Sequence, residues 1–97
     1  MMETGYKAML RPAIDQLETA RRQDPDDDGV WHLLGIAWGR PGDMGQANLA
    51  LAEEAIRNVD IPLAKRFARM AADSLPQGPA KLRALDIGNA ARKENRP

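Results

Sequence analysis

The chain has 97 residues, a formal net charge of zero and no cysteine, with 43% hydrophobic, 4% aromatic and 29% charged residues. That length allows one domain with a modest core, and the hydrophobic share excludes disorder by composition. Without cysteine there are no disulfides, no thiolate catalysis and few routes to structural zinc, while zero net charge gives no whole-molecule pull toward nucleic acid. Abundant alanine with few aromatic residues favours closely packed helices over strands, so the expected class is all-α.

Charge is distributed unevenly. Residues 1–28 carry 7 acids and 4 bases, whereas residues 61–97 carry 8 bases and 3 acids. Two readings fit: both ends are solvated faces, or the basic end docks on an acidic neighbour or an anionic membrane surface. No apolar run approaches the length of a membrane span, and the N-terminus lacks the pattern of a signal peptide. Residues 1–5 read as a lead-in supplied by cloning, which marks the chain as an expected fragment of a longer protein, and residues 6–93 as one helical domain before a frayed 94–97.

In chain order, Tyr6, Met9, Leu10, Ala13, Ile14, Leu17 and Ala20 fall on one helix face. Pro12 interrupts that pattern, so the spacing predicts a secure helix from Pro12 to Gln23 with a looser lead-in. The acidic turn at residues 24–29 offers Asp27 or Asp28 as the next cap, and Trp31, Leu34 and Trp38 then repeat on one side of a second helix. The two tryptophans stand seven apart and face the same way, which suits packing against neighbouring helices better than stacking on a cofactor. After a tight turn at residues 40–43, the stretch Asp43 to Arg57 is apolar on almost every side, with Asp43 and Gln46 spaced as cap and reciprocal partner. A helix that apolar is expected to lie between the helices before and after it. Asp60 caps a fourth helix that buries Leu63, Ala64, Phe67, Ala68, Ala71 and Leu75 and turns Lys65, Arg66 and Arg69 outward. Pro79 opens a last helix expected to bury Leu82, Leu85 and Ile87.

Small residues share a register along the chain. Ala13, Leu17, Ala20 and Pro25 recur as Ala64, Ala68, Ala71 and Pro76 with identical internal spacing, and Ala13 to Ala47 is 34 residues. That is the period of tetratricopeptide repeats, and Trp31, Leu34, Gly35 and Trp38 followed by Ala47 resemble that family's W-x-x-L-G-x-x-Y and following alanine, with Trp38 in the tyrosine slot. Ala47 to Ala64 is only 17 residues, so the central helix is expected to serve two consecutive pairs. The fold predicted is a tetratricopeptide-like hairpin array, an α-α superhelix of about five helices.

Residues 29–91 carry a narrower resemblance. Trp31, the run at residues 33–39, Gly42 with Asp43, the LALAE stretch at 49–53 and the run at 78–87 ending LRALDI are similar to the C-terminal repeat region of bacterial HExxH zinc metallopeptidases of the BepA-like type, metallopeptidase family forty-eight. The resemblance implies a non-catalytic appendage that binds a protein or peptide client, or docks on its own upstream peptidase domain, in a periplasmic or envelope setting. The zinc would sit in that upstream domain. This chain has no HExxH, and its one histidine, His32, stands in Trp-His-Leu-Leu.

No catalytic set can be assembled from the residues. Asp24, Asp26, Asp28 and Gly29 fit the first, third, fifth and sixth positions of an EF-hand loop, but the twelfth, which needs a bidentate Glu, is Gly35. The turn therefore reads as a solvated cap rather than a calcium site. His32 lacks a second histidine or a well-placed carboxylate and reads as an exposed helix residue. Glu53 with Arg57, four on, reads as a structural pair, and Arg83 with Asp86 as a buttress of the last helix. In tetratricopeptide arrays the first helix of each pair lines a concave groove. Mapping that face gives His32, Ile36 and Arg40 from one helix and Leu49, Glu53 and Ile56 from the next, with Leu49 and Ile56 equally readable as core. An incomplete repeat at Tyr6 to Gln23 leaves an unpartnered helix, which also admits self-association.

Overall fold

Three helices of the array start where the sequence supplies a capping aspartate. The computed structural model describes residues 6–94, with side chains from Leu10 to Lys93; the expected lead-in 1–5 and residues 95–97 of the expected tail lie outside those residues, while Glu94, expected in the tail, is the last residue of the final helix. The helices are α1 (Tyr6–Gln23), α2 (Asp28–Gly39), α3 (Met44–Arg57), α4 (Ile61–Ser74) and α5 (Pro79–Glu94). Asp27 accepts a hydrogen bond from the Gly29 N–H at 3.0 Å, Asp43 one from Gln46 at 3.2 Å and Asp60 one from Leu63 at 3.4 Å. Each bond satisfies a backbone donor that the first helical turn leaves without a partner.

One boundary differs from expectation. α1 is continuous from Tyr6, with Pro12 in its second turn. The ring removes a single backbone hydrogen bond there, a local cost of about 3 kcal/mol, and the helix carries on through it.

Consecutive helices pack on one another in order, and α3 also touches α5. The chain is therefore an all-α, tetratricopeptide-like hairpin stack, drawn out to 52 × 26 × 20 Å. α3 sits between α2 and α4 as its all-round apolar sequence requires. Small residues set the spacing: Ala52, Ala55, Ala64, Ala68 and Ala91 surround Ile87 in one cluster, and Ile14, Trp31, Leu34, Ala37 and Ala50 form another between α1, α2 and α3. At Gly35 a Cβ would lie 2.7 Å from Leu51 Cδ2, so only glycine lets α2 and α3 come this close.

The last helix buries a different face from the one expected. Ile87 is buried, but Leu82 and Leu85 are 62% and 45% exposed. Ala84, Ile87 and Ala91 face inward instead, because a stripe of mostly small residues allows α5 to approach α4 and α3 where leucines would hold it off.

The turns closing α2 and α3 use the same hydrogen-bond pattern with different residues. At the first, Gly42 (φ 88°) lets the Asp43 N–H reach the Trp38 carbonyl. At the second, Asp60 donates to Ala55 and Val59 to Ile56, with Val59 at φ 57°. This is a Schellman closure with a β-branched residue in the left-handed position normally held by glycine.

Candidate functional site

Two recesses lined by described residues handle charge in opposite ways. The inner one, about 330 Å³, opens between α1, α2, α3 and α5, with Leu34, Trp38, Leu49 and Ala80 among its apolar walls. Its charged groups are paired within the fold. Arg83 grips Glu53 through two bonds, Nε to Oε2 at 2.7 Å and Nη2 to Oε1 at 2.8 Å, and Arg57 Nη1 donates to Glu53 Oε1 at 2.6 Å. Glu53 is only 4% exposed. Burial alone would push its carboxyl up, but the hydrogen bonds and charges of Arg83 and Arg57 outweigh this and hold it below the ordinary carboxylate value. The same Glu53 bond raises the Arg83 pKa above its usual value. Beside it, Arg21 pairs with Glu18 at 2.7 Å.

The same cluster ties down the acidic turn. Trp31 Nε1 donates to the Pro25 carbonyl at 2.8 Å and Arg57 Nε to that same oxygen at 2.6 Å. The guanidinium carbons of Arg57 and Arg21 lie 4.7 and 5.3 Å from the centre of the Trp31 ring. The indole thus packs against two cations and anchors the turn through its N–H.

The outer recess is a groove of about 640 Å³ between α4 and α5. Ala68, Ala72, Ala84 and Gly88 line its floor, Met70 and Leu85 its walls, and Lys65, Arg66, Arg69 and Arg92 its rim, with Asp73 the acid among its lining residues. Arg92 bonds to Asn89 on its own helix. Among the described residues, Lys65, Arg66 and Arg69 have no ion-pair partner.

The residues of the expected groove fall in three places. Ile36 and Arg40 are exposed on the outward face of α2, where Leu33 is exposed as well. His32 is exposed beside them and has the carboxylate partner that the sequence reading denied it, because the fold brings Glu54 Oε1 of α3 to 3.0 Å from its Nδ1. Leu49 and Glu53 line the inner recess, and Ile56 packs against the alanine-rich core. The expected Arg83–Asp86 buttress is also corrected. The Arg83 fork is bonded to Glu53, thirty positions away, and Asp86 adds only its charge.

Sequence reasoning put Lys65, Arg66 and Arg69 outward but did not see them as one wall of a groove. The usable signal was their spacing along α4 above Ala68 and Ala72, matched by Ala84 and Gly88 ahead of Arg92 on α5. No group of three or more His, Cys, Asp or Glu residues that could hold a metal ion occurs among the described residues, and no helix of theirs is long and apolar enough to cross a membrane. Comparison with protein-family models, with curated proteins and with solved structures finds no match for this chain.

Proposed function

We propose that the chain is a protein-interaction scaffold without catalytic activity of its own, and that the α4–α5 groove is where its partner seats. The observation that carries this reading is the clustering at the rim: three cations that have no ion-pair partner among the described residues stand together beside one groove whose floor is alanine and glycine. Exposed cations add little to folding stability, so stability does not account for their clustering. The groove's buried small residues keep the seam between α4 and α5 low, which leaves a furrow for a guest between the exposed Met70 and Leu85. Recognition would combine shape along the groove with charge at its edges.

A display library of random peptides of helix-forming length, panned against the folded chain, tests this directly. Sequences whose binding shifts the amide resonances of α4 and α5 support the reading. Enrichment of nothing above background would sink it.

The narrower reading, an appendage of an HExxH zinc peptidase in the cell envelope, is supported only by the resemblance of residues 29–91. A stand-alone adaptor needs the array alone and is the better supported of the two. Reading the gene upstream of the Tyr6 codon separates them: an in-frame HExxH domain favours the appendage, and a native start codon close to Met2 favours the adaptor.

A further inference from the structure

We infer that the occupant of the α4–α5 groove is an acidic amphipathic helix of a partner protein, laid along the groove as an added helix of the stack; this deepens the scaffold reading and rests on it. Three features on the molecule define that guest. The floor is made of small residues along both helices, and the Ala68 Cβ lies 3.7 Å from the place a Gly88 Cβ would take. Ala68, Ala72 and Ala84 are themselves buried, so this low seam between α4 and α5 leaves a furrow in which a guest helix would lie against the exposed Met70 and Leu85. The groove follows α4 from Pro62 to Asp73, roughly 16 Å at 1.5 Å per residue. It therefore matches about three turns of helix.

Charge fixes the rest. α5 runs antiparallel to α4, since Ala91 and Ile87 meet Ala64 and Ala68 while Ala84 meets Ala71 and Ala72. Arg92 thus lies toward the end of the groove that holds Lys65 and Arg66, and Asp73 lies toward the other. A guest with carboxylates along both flanks at the first end, and none beside Asp73, pairs the rim and is held in one direction. Small or medium apolar residues at spacings of three and four would fill the floor between Met70 and Leu85. A membrane surface suits this shape less well, because a flat anionic layer meets the rim and leaves the recessed floor uncovered.

The test uses the full chain and two synthetic helical peptides of about 14 residues, identical in their Ala and Leu stripe and flanked by Glu in one and Lys in the other. Titration followed by amide NMR should place the Glu peptide on α4 and α5. Its affinity should fall at least tenfold between low and high salt, and at least tenfold in Arg69→Glu, while Arg22→Glu on α1 changes it little. Gly88→Leu, which fills the floor without altering charge, should weaken it as well. Equal affinity for the Lys peptide, or shifts confined to the Leu33–Ile36 face, would overturn the inference while leaving a displayed peptide free to bind the groove. Preferential binding to phosphatidylserine vesicles that the Glu peptide does not displace would overturn it in favour of a lipid surface. Concentration-dependent self-association abolished by Arg69→Glu would overturn it in favour of a second copy of the chain.

Discussion

The inner and outer recesses share only α5, and both have cations in their lining, Arg21 and Arg83 in one and Lys65, Arg66, Arg69 and Arg92 in the other, yet they differ in where the counter-charges are. In the inner recess Glu53 and Glu18 come from the fold itself, and each Arg that meets them is fixed by short bonds. At the outer rim Lys65, Arg66 and Arg69 have no such partner among the described residues. Charge that is paired internally ties helices together. Charge left over at the edge of a small-residue groove contributes little to the fold and is available to something else. This difference, rather than the size of either recess, is what the proposed division into a stabilising region and a partner-binding one rests on.

The largest expected effect therefore falls on the inner recess. Glu53→Ala removes the acceptor shared by Arg57 and Arg83 and leaves two cations facing each other near a buried site. Breaking a buried pair costs about 3–5 kcal/mol, and Arg83 is half-exposed, so a loss of about 3 kcal/mol in urea unfolding is expected. A loss under about 1 kcal/mol would place this cluster with ordinary surface pairs and break the contrast. Because the folded-state pKa of Glu53 is depressed, the stability it contributes is complete above the ordinary carboxylate range and is lost as pH falls through the lowered folded value. The Glu53→Gln variant should show a flatter fall in stability over that acidic window than the parent chain.

Much of the fold was legible because its signals are local. Asp27, Asp43 and Asp60 cap where capping chemistry puts them, Pro79 opens α5, and the 34-residue register of alanines predicted the stack before any packing was known. What escaped depended on contacts between distant residues. The His32–Glu54 bond crosses from α2 to α3, the Arg83 fork reaches back from α5, and α5 turns Leu85 toward the groove because Ala84 and Gly88 allow a closer approach. Val59 escaped for a different reason. A β-branched residue carries no sequence sign of the left-handed backbone that it adopts at the end of α3, only two residues beyond Arg57. Val59→Gly should raise stability by about 1 kcal/mol, and no gain would mean that the valine side chain is supported on its 68% exposed surface.

Glycines sharpen the contrast between the two regions on a smaller scale. Gly35 is required by packing, since a Cβ there would press on Leu51. Gly88, at the floor of the outer groove, would meet only ordinary contact at 3.7 Å. Gly88→Ala should therefore stabilise α5 by about 0.5–1 kcal/mol through helix propensity, as read from the thermal midpoint. A destabilised variant would show that the floor is already closed by packing and is not a place where a guest helix comes near.

The smallest effect on folding is expected where the largest effect on binding is. Neutralising Arg69 as Arg69→Gln removes a cation that has no carboxylate partner among the described residues and that stands with Lys65, Arg66 and Arg92 around one groove. Loss of mutual repulsion and loss of stem contacts oppose each other, so the unfolding free energy should move by less than about 0.5 kcal/mol in either direction. Raising the salt concentration should narrow even that difference, because the rim is open to solvent and its charges are screened. A loss above about 1 kcal/mol would mean that the arginine stem covers the apolar floor as part of the core, as long basic side chains can. The cations would then belong to the folded stack, and the two recesses would differ in geometry alone.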